Sequence, residues 1–166
     1  MEISSVIEVW KILKWLPWFI LKRIFTKERM ADLLIVDVRP RHDYARVDLG
    51  EVSTYEIWFQ VINMSPFDVE MDRAEIEFRC AGTMLNKSYI KKTIFDSGKV
   101  SNFRIKDDIP EGKANSIARH YDSNDSSISI HIDFNCKLFS FNKQENNLSG
   151  VIPSYINTHA RKDNDK

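Results

Sequence analysis

The stretch YEIWFQVINMSPFDVEMDRAEIEF, Tyr55–Phe78, decides how the chain folds. Tyr55, Ile57, Phe59 and Val61 alternate with Glu56, Trp58, Gln60 and Ile62, the period-2 signature of a strand with one face on a core. Asn63-Met64-Ser65-Pro66 reads as a turn. A second alternation follows, with Phe67, Val69 and Met71 inward and Asp68, Glu70 and Asp72 outward. The parity then slips, and Ala74, Ile76, Phe78 and Cys80 become the inward set. A one-residue slip of that kind predicts a β-bulge near Asp72–Arg73. Trp58 and Ile62 are expected on the outer face, where a strand of this type ordinarily carries polar residues. They form a candidate patch, either covered by the chain itself or offered to a partner.

Outward from this pair, the same period continues. LLIVDV (Leu33–Val38) is a short apolar run suited to a buried strand, and YARVDL (Tyr44–Leu49) is another. Strands are expected at Ser88–Phe95 and Lys99–Lys106. Ala114, Ile117, Ala118 and Tyr121 recur at helical spacing. Ile128, Ile130, Ile132, Phe134, Cys136 and Leu138 make the longest alternation, and Phe139 and Phe141 shift its parity. About seven short strands with turn signals between them predict a mainly β fold, an antiparallel immunoglobulin-like β-sandwich. Its expected limits are residues 32–142, with a polar, flexible tail over 143–166.

The Tyr55–Phe78 pair resembles the paired strands of late-embryogenesis-abundant type 2 domains, also called water-stress and hypersensitive-response domains. In that family an apolar strand ends in Asn, a Pro follows, and a second strand leads to a Gly-containing turn. The matching positions are Asn63, Pro66 and Gly82, with Met64 and Ser65 standing between the Asn and the Pro. The resemblance covers about 90 residues and implies an immunoglobulin-like sandwich, often tethered to a membrane at its N-terminus, with no catalytic residues.

Upstream, VIEVWKILKWLPWFILKRIF (Val6–Phe25) holds three of the four tryptophans. At 100° per residue Ser4, Glu8, Lys11, Lys14, Lys22 and Arg29 fall on one stripe, and apolar side chains cover the rest. A bilayer span needs about 20 consecutive apolar residues, and lysines interrupt this run too often for that. Pro17 further predicts a break or kink. Residues 1–31 are therefore expected to form an amphipathic helix, lying in a membrane interface or packed on a partner chain or on the protein's own core. Its contact residues are Trp10, Lys11, Lys14, Trp15, Trp18, Phe19, Lys22 and Arg23. The local basic excess suits anionic lipid. No secretory signal is recognisable, and the basic residues after the apolar run place the downstream domain on the cytoplasmic face. On this reading, deletion of Met1–Met30 leaves the β domain folded.

The formal net charge is zero, which gives no general basic field for nucleic acid. Cys80 and Cys136 end apolar alternations and read as buried free thiols. No glycine-rich phosphate loop, zinc-protease helix or nucleophile elbow is present. His131 and Asp133 share a strand face, but two ligands do not make a metal site. Asp68, Glu70, Asp72, Glu75 and Glu77 read as a solvated ridge. Arg39, Arg41, His42 and Arg46 form a basic loop, an exposed turn or a headgroup contact. No cofactor and no catalytic residue are expected. The sequence points to a non-enzymatic, membrane-associated interaction module whose sandwich binds a protein. The alternative is an accessory subunit with its N-terminal helix on another chain. Replacing Lys11, Lys14 and Lys22 by Glu is expected to weaken binding to anionic vesicles at unchanged apolar area; equal binding of variant and wild type would contradict the electrostatic part.

Overall fold

The structure is a computed structural model that describes residues 15–39, 45–123, 125–148 and 151–161. Trp10, Lys11 and Lys14 of the expected contact set lie outside the described residues, as do Arg41 and His42 of the basic loop.

The molecule is mainly β, with two sheets and a few short helices. At the centre of the first sheet is β3 (Thr54–Asn63), and its alternate residues are buried as the sequence period predicts. Along one side it pairs antiparallel with β7 (Val100–Asp108). On its other side two short strands lie end to end, β1 (Leu34–Val38) against Phe59–Asn63 and β2 (Ala45–Asp48) against Thr54–Ile57. The second sheet is built on β4 (Val69–Cys80), flanked by β8 (Ser127–Cys136) on one side. β5 (Thr83–Tyr89) and β6 (Thr93–Phe95) share its other side, and β9 (Ser140–Leu148) lies beyond β8. The β4–β8 register shifts between Met71 and Arg73, where the parity slip predicts a bulge. Ala81 and Gly82 both have positive φ, 48° and 74°, which is the geometry of a two-residue hairpin turn whose twist suits β4 and β5.

One core lies between the sheets. Phe59 stacks on Phe103 at 5.2 Å, Phe103 meets Phe95 at 6.1 Å, and Phe95 meets Phe134 edge-on at 6.1 Å. Phe134 in turn stacks on Phe141 at 5.6 Å. This file of rings crosses from the first sheet to the second. Tyr55 and Phe78 make a further contact between the sheets at 5.8 Å.

Several expectations need correction. Residue 143 does not begin a tail: β9 runs through that position, and Val151 is buried. β10 (Ser154–Ile156) then pairs with β2, and the pairing is parallel. Ten strands occur among the described residues, because both β1/β2 and β5/β6 are split, and β9 and β10 extend the fold. β5 occupies residues that the alternation does not mark. The helix expected at Ala114–Tyr121 is present as α3 (Glu111–His120), with Ala114, Ile117 and Ala118 buried.

The N-terminal segment also differs. It forms α1 (Trp18–Ile24) and α2 (Lys27–Asp32). Pro17 precedes α1, and its carbonyl accepts the Ile20 and Leu21 N–H groups at 3.0 and 3.2 Å. The helix breaks at Phe25, and Thr26 starts the next by accepting the Arg29 N–H on its hydroxyl at 3.3 Å. The single polar stripe from Lys22 to Arg29 is therefore interrupted. Leu21, Phe25 and Met30 belong to the core, and α2 packs on both β1 and β9, covering the gap between two sheet edges. Lys143 donates to the Ala31 carbonyl at 3.0 Å across that gap. Deletion through Met30 removes three core side chains and is expected to destabilise the fold. Phe25→Ala and Phe134→Ala are each expected to cost about 3–5 kcal/mol in chemical denaturation, and a loss below about 1 kcal/mol at Phe25 would show that α1 is not part of the core.

Candidate interaction surface

One end of the molecule is organised by Asn63, the last residue of β3, which is fully buried. Its side-chain amide donates to the Phe67 carbonyl at 2.8 Å and to the Phe95 carbonyl at 2.9 Å. Its side-chain oxygen accepts the Ser65 N–H at 3.0 Å and the Ser65 hydroxyl at 2.7 Å. Its backbone N–H donates to the Lys99 carbonyl at 3.0 Å, and its carbonyl accepts the Gly98 N–H at 2.7 Å. The β3–β4 and β6–β7 connections are thus tied together through one residue. Ser97 adds its hydroxyl to the Ser65 carbonyl at 2.7 Å.

α1 lies on this end. Phe25 meets Phe67 edge-on at 5.4 Å. Leu21, Pro66, Phe67, Asp68 and Lys137 line a groove of about 250 Å³ beneath the helix. Leu21 and Phe25 turn to the core with Ile24 packed beside them, and the opposite side of α1 turns outward. Trp15 is 90% exposed, Trp18 62% and Phe19 63%, and Lys22 and Arg23 are exposed beside them. The Lys22 ammonium stands 4.4 Å from the Trp18 ring centre. These five described residues of the predicted contact set fall on one side of the helix or in the turn that leads into it.

Trp58 and Ile62 emerge on the outer face of the first sheet, both half-buried, but in different surroundings. The Trp58 indole donates to Glu56 at 2.9 Å, and the Arg104 guanidinium lies 5.3 Å from its ring. Arg104 also pairs with Glu56 at 3.3 Å. Ile62 instead stands in register between Ile35 of β1 and Val100 of β7, which are 41% and 57% exposed. The sequence reading did not single out Ile35 or Val100. Ile35 looked like part of a continuous buried run, and only strand register brings the three residues side by side. Met64, the next residue beyond Asn63, donates its N–H to the Leu33 carbonyl at 2.9 Å and is itself exposed.

Elsewhere, His131 and Asp133 approach to 3.4 Å, and no group of three metal-ligating side chains occurs among the described residues. The acidic ridge is partly neutralised, since Lys92 reaches Glu70 at 2.7 Å and Asp72 at 3.5 Å. An open cleft of about 850 Å³ lies between α2 and the β4 bulge with β8 and β9, and Arg73 is paired there with Asp133 at 3.1 Å. Both cysteines are free; Cys80 is buried and Cys136 half-buried. Cys136 pairs with Val69 at one end of β4 and Cys80 ends the strand at the other, about 35 Å away at the rise of extended chain, so no disulfide joins them.

Burial pushes the Cys80 thiol up to about 11, and a contact with the Tyr155 hydroxyl at 3.3 Å opposes that rise. Tyr55 and Tyr155 are also raised by burial, with Asp107 adding to the first and Cys80 to the second. No helix among the described residues is long and apolar enough to cross a membrane.

No protein-family model matches the chain, and no curated protein matches it in sequence. Among solved structures, the Northeast Structural Genomics Consortium target SoR45 has a TM-score of 0.48 at 7% identity, over 68% of this chain and 81% of the other. The solution structure of R. palustris CsgH has a TM-score of 0.40 at 8% identity, over 71% and 95%. A Bacteroides uniformis beta-glucuronidase has 0.37 at 14% identity, over 69% of this chain and only 12% of the enzyme. Likenesses at these scores carry no argument about activity.

Two outcomes follow from this geometry. Asn63→Ala leaves two carbonyls and the Ser65 pair without their partner and is expected to cost about 2–5 kcal/mol, against about 1 kcal/mol or less for an exposed asparagine such as Asn102. A folded thiol that holds its proton longer than the unfolded one stabilises fully below the unfolded value and loses that contribution as pH rises. Stability is therefore expected to fall from about pH 9 toward 11, with a shallower fall in Cys80→Ala, measured as denaturation midpoints across that range.

Proposed function

We propose that this chain is a non-enzymatic module that attaches peripherally to the cytoplasmic face of an anionic membrane through the outward side of α1, while its β domain binds a protein partner. The observation that carries the reading is the division of α1. Leu21 and Phe25 enter the core, and Trp15, Trp18 and Phe19 stand exposed beside Lys22 and Arg23. Aromatic rings bordered by basic side chains suit the headgroup boundary, where the indole body is apolar and its edge is wet. An exposed cluster of this kind is otherwise a liability in water.

The β domain is proposed to be an immunoglobulin-like sandwich. Consecutive strands pass between the sheets at β3–β4, β6–β7 and β7–β8, and hairpins close β4–β5 and β8–β9. Such a frame supplies a rigid platform and no chemistry of its own. The resemblance to late-embryogenesis-abundant type 2 domains is compatible with a tethered sandwich.

Flotation of the full chain with vesicles tests the attachment. Binding is expected with phosphatidylserine-containing vesicles and not with purely zwitterionic ones, and Trp18→Ala with Phe19→Ala is expected to lower it at least about tenfold, given roughly 1.5–3 kcal/mol per large apolar side chain. A chain that stays in solution with both vesicle types would contradict the proposal.

A further inference from the structure

One long sheet edge stands apart from the others, which are short or have a helix packed on them. α2 packs on β1 and β9. α3 packs on β5, and its Lys113 ammonium donates to the Met84 carbonyl at 2.8 Å. β10 lies along β2, and β6 and β10 have three residues each. β7 has nine residues and pairs with β3 alone, in a register without a bulge. The bonds that flank this pairing fix which backbone groups it uses. Asn63 donates to the Lys99 carbonyl at one end at 3.0 Å, and Ile109 donates to the Ser53 carbonyl at the other at 2.7 Å. Both are odd-numbered pairs of the same antiparallel register, so Ser101, Phe103, Ile105 and Asp107 direct their backbone groups to β3. Asn102, Arg104 and Lys106 direct theirs away from it, and no backbone bond meets them there among the described residues.

We infer that the free edge of β7 is a docking site for an extended segment of another protein, which adds to the first sheet as a further strand. The inference rests on the reading of the β domain as a protein-binding module and gives that module its surface. The occupant is an extended polypeptide because the edge offers a row of backbone donors and acceptors repeating every second residue, about 7 Å, which is the complement of another strand. Side chains on the two sides of the edge narrow its chemistry. On the outer face Lys106 is exposed and has no ion-pair partner among the described residues, whereas Arg104 reaches over Trp58 to Glu56. Asp108, the acid of that face of β7, ends the strand. On the inner side the half-buried Tyr89 of β5 stands 6.3 Å from Phe103, and Lys87 and Asp107 pair at 2.7 Å across the opening between the sheets. The segment that fits therefore sets an acidic side chain beside Lys106 and an apolar one over Tyr89. A second copy of β7 is a poor occupant: two-fold antiparallel pairing about Arg104, Ile105 or Lys106 sets a basic residue opposite a basic residue. An unpaired edge is otherwise a liability in water.

Amide hydrogen exchange of the full chain, read by NMR with and without a peptide that alternates valine and glutamate, tests the site. In the free chain the Asn102, Arg104 and Lys106 amides are expected to exchange at least about tenfold faster than those of Phe103 and Ile105. Millimolar peptide is expected to slow the even-numbered set, and the same peptide N-methylated at every amide is expected to have no effect. Asn102→Pro removes a donor that the β3 ladder does not use, and is expected to weaken peptide binding about threefold to tenfold, the loss of one backbone hydrogen bond. Should that variant fold poorly, Lys106→Glu leaves the backbone intact and is expected to shift the preference to a peptide alternating valine and lysine. Equal protection by the N-methylated peptide, or by the valine–lysine peptide on the wild-type chain, would overturn the inference. Peptide-induced changes confined to the surroundings of Trp58, with the even-numbered β7 amides unprotected, would overturn it and leave the protein-binding reading standing. No change at any amide would overturn it and count against that reading as well.

Discussion

A single buried asparagine holds together the end of the molecule on which everything else rests. Asn63 uses both side-chain donors and its side-chain oxygen inside the protein, and its backbone closes two further bonds. In a low-dielectric interior such groups must be satisfied, and a fully satisfied cluster rigidifies the segments it joins. The segments joined here are two of the connections that carry the chain between the sheets. Phe67, the aromatic floor for Phe25, has its carbonyl fixed by the same amide. The position of α1, and with it the outward set of aromatic and basic residues, therefore depends on a hydrogen-bond cluster that touches none of them.

The N-terminal segment has an inward and an exposed side along its short helices. Its inward residues complete the core and, through α2, cover the gap between β1 and β9. Its outward residues, Trp18, Phe19, Lys22 and Arg23, stand exposed. The N-terminal segment and the β domain are not separable at residue 31, since Met30 is fully buried.

Much of the frame was legible in residue order. The alternation of β3, the bulge in β4 and the long run of β8 were readable because each has one face on the core and one on solvent. β9 was not. Its sequence, SFNKQENNL, has a single fully buried residue, Phe141, and the strand is recognisable only through its pairing with β8. β10 is three residues long and exists by parallel pairing with β2, a contact across about 110 residues that no local pattern announces. At the candidate surface, Trp18, Phe19, Lys22 and Arg23 were readable from helical amphipathicity. Leu21 and Phe25 were hidden, because treating residues 1–31 as one helix assigned a single continuous face where the chain breaks at Thr26. Ile35 and Val100 were hidden for a different reason, since their adjacency belongs to register and not to sequence.

The most direct test of membrane docking is tryptophan emission of the full chain on phosphatidylserine-containing vesicles whose acyl chains carry bromine at a shallow position. Docking through the outward side of α1 predicts quenching by the brominated lipid that falls in Trp15→Phe with Trp18→Phe and is unchanged in Trp58→Phe. Emission that is the same with brominated and unbrominated lipid would contradict the account.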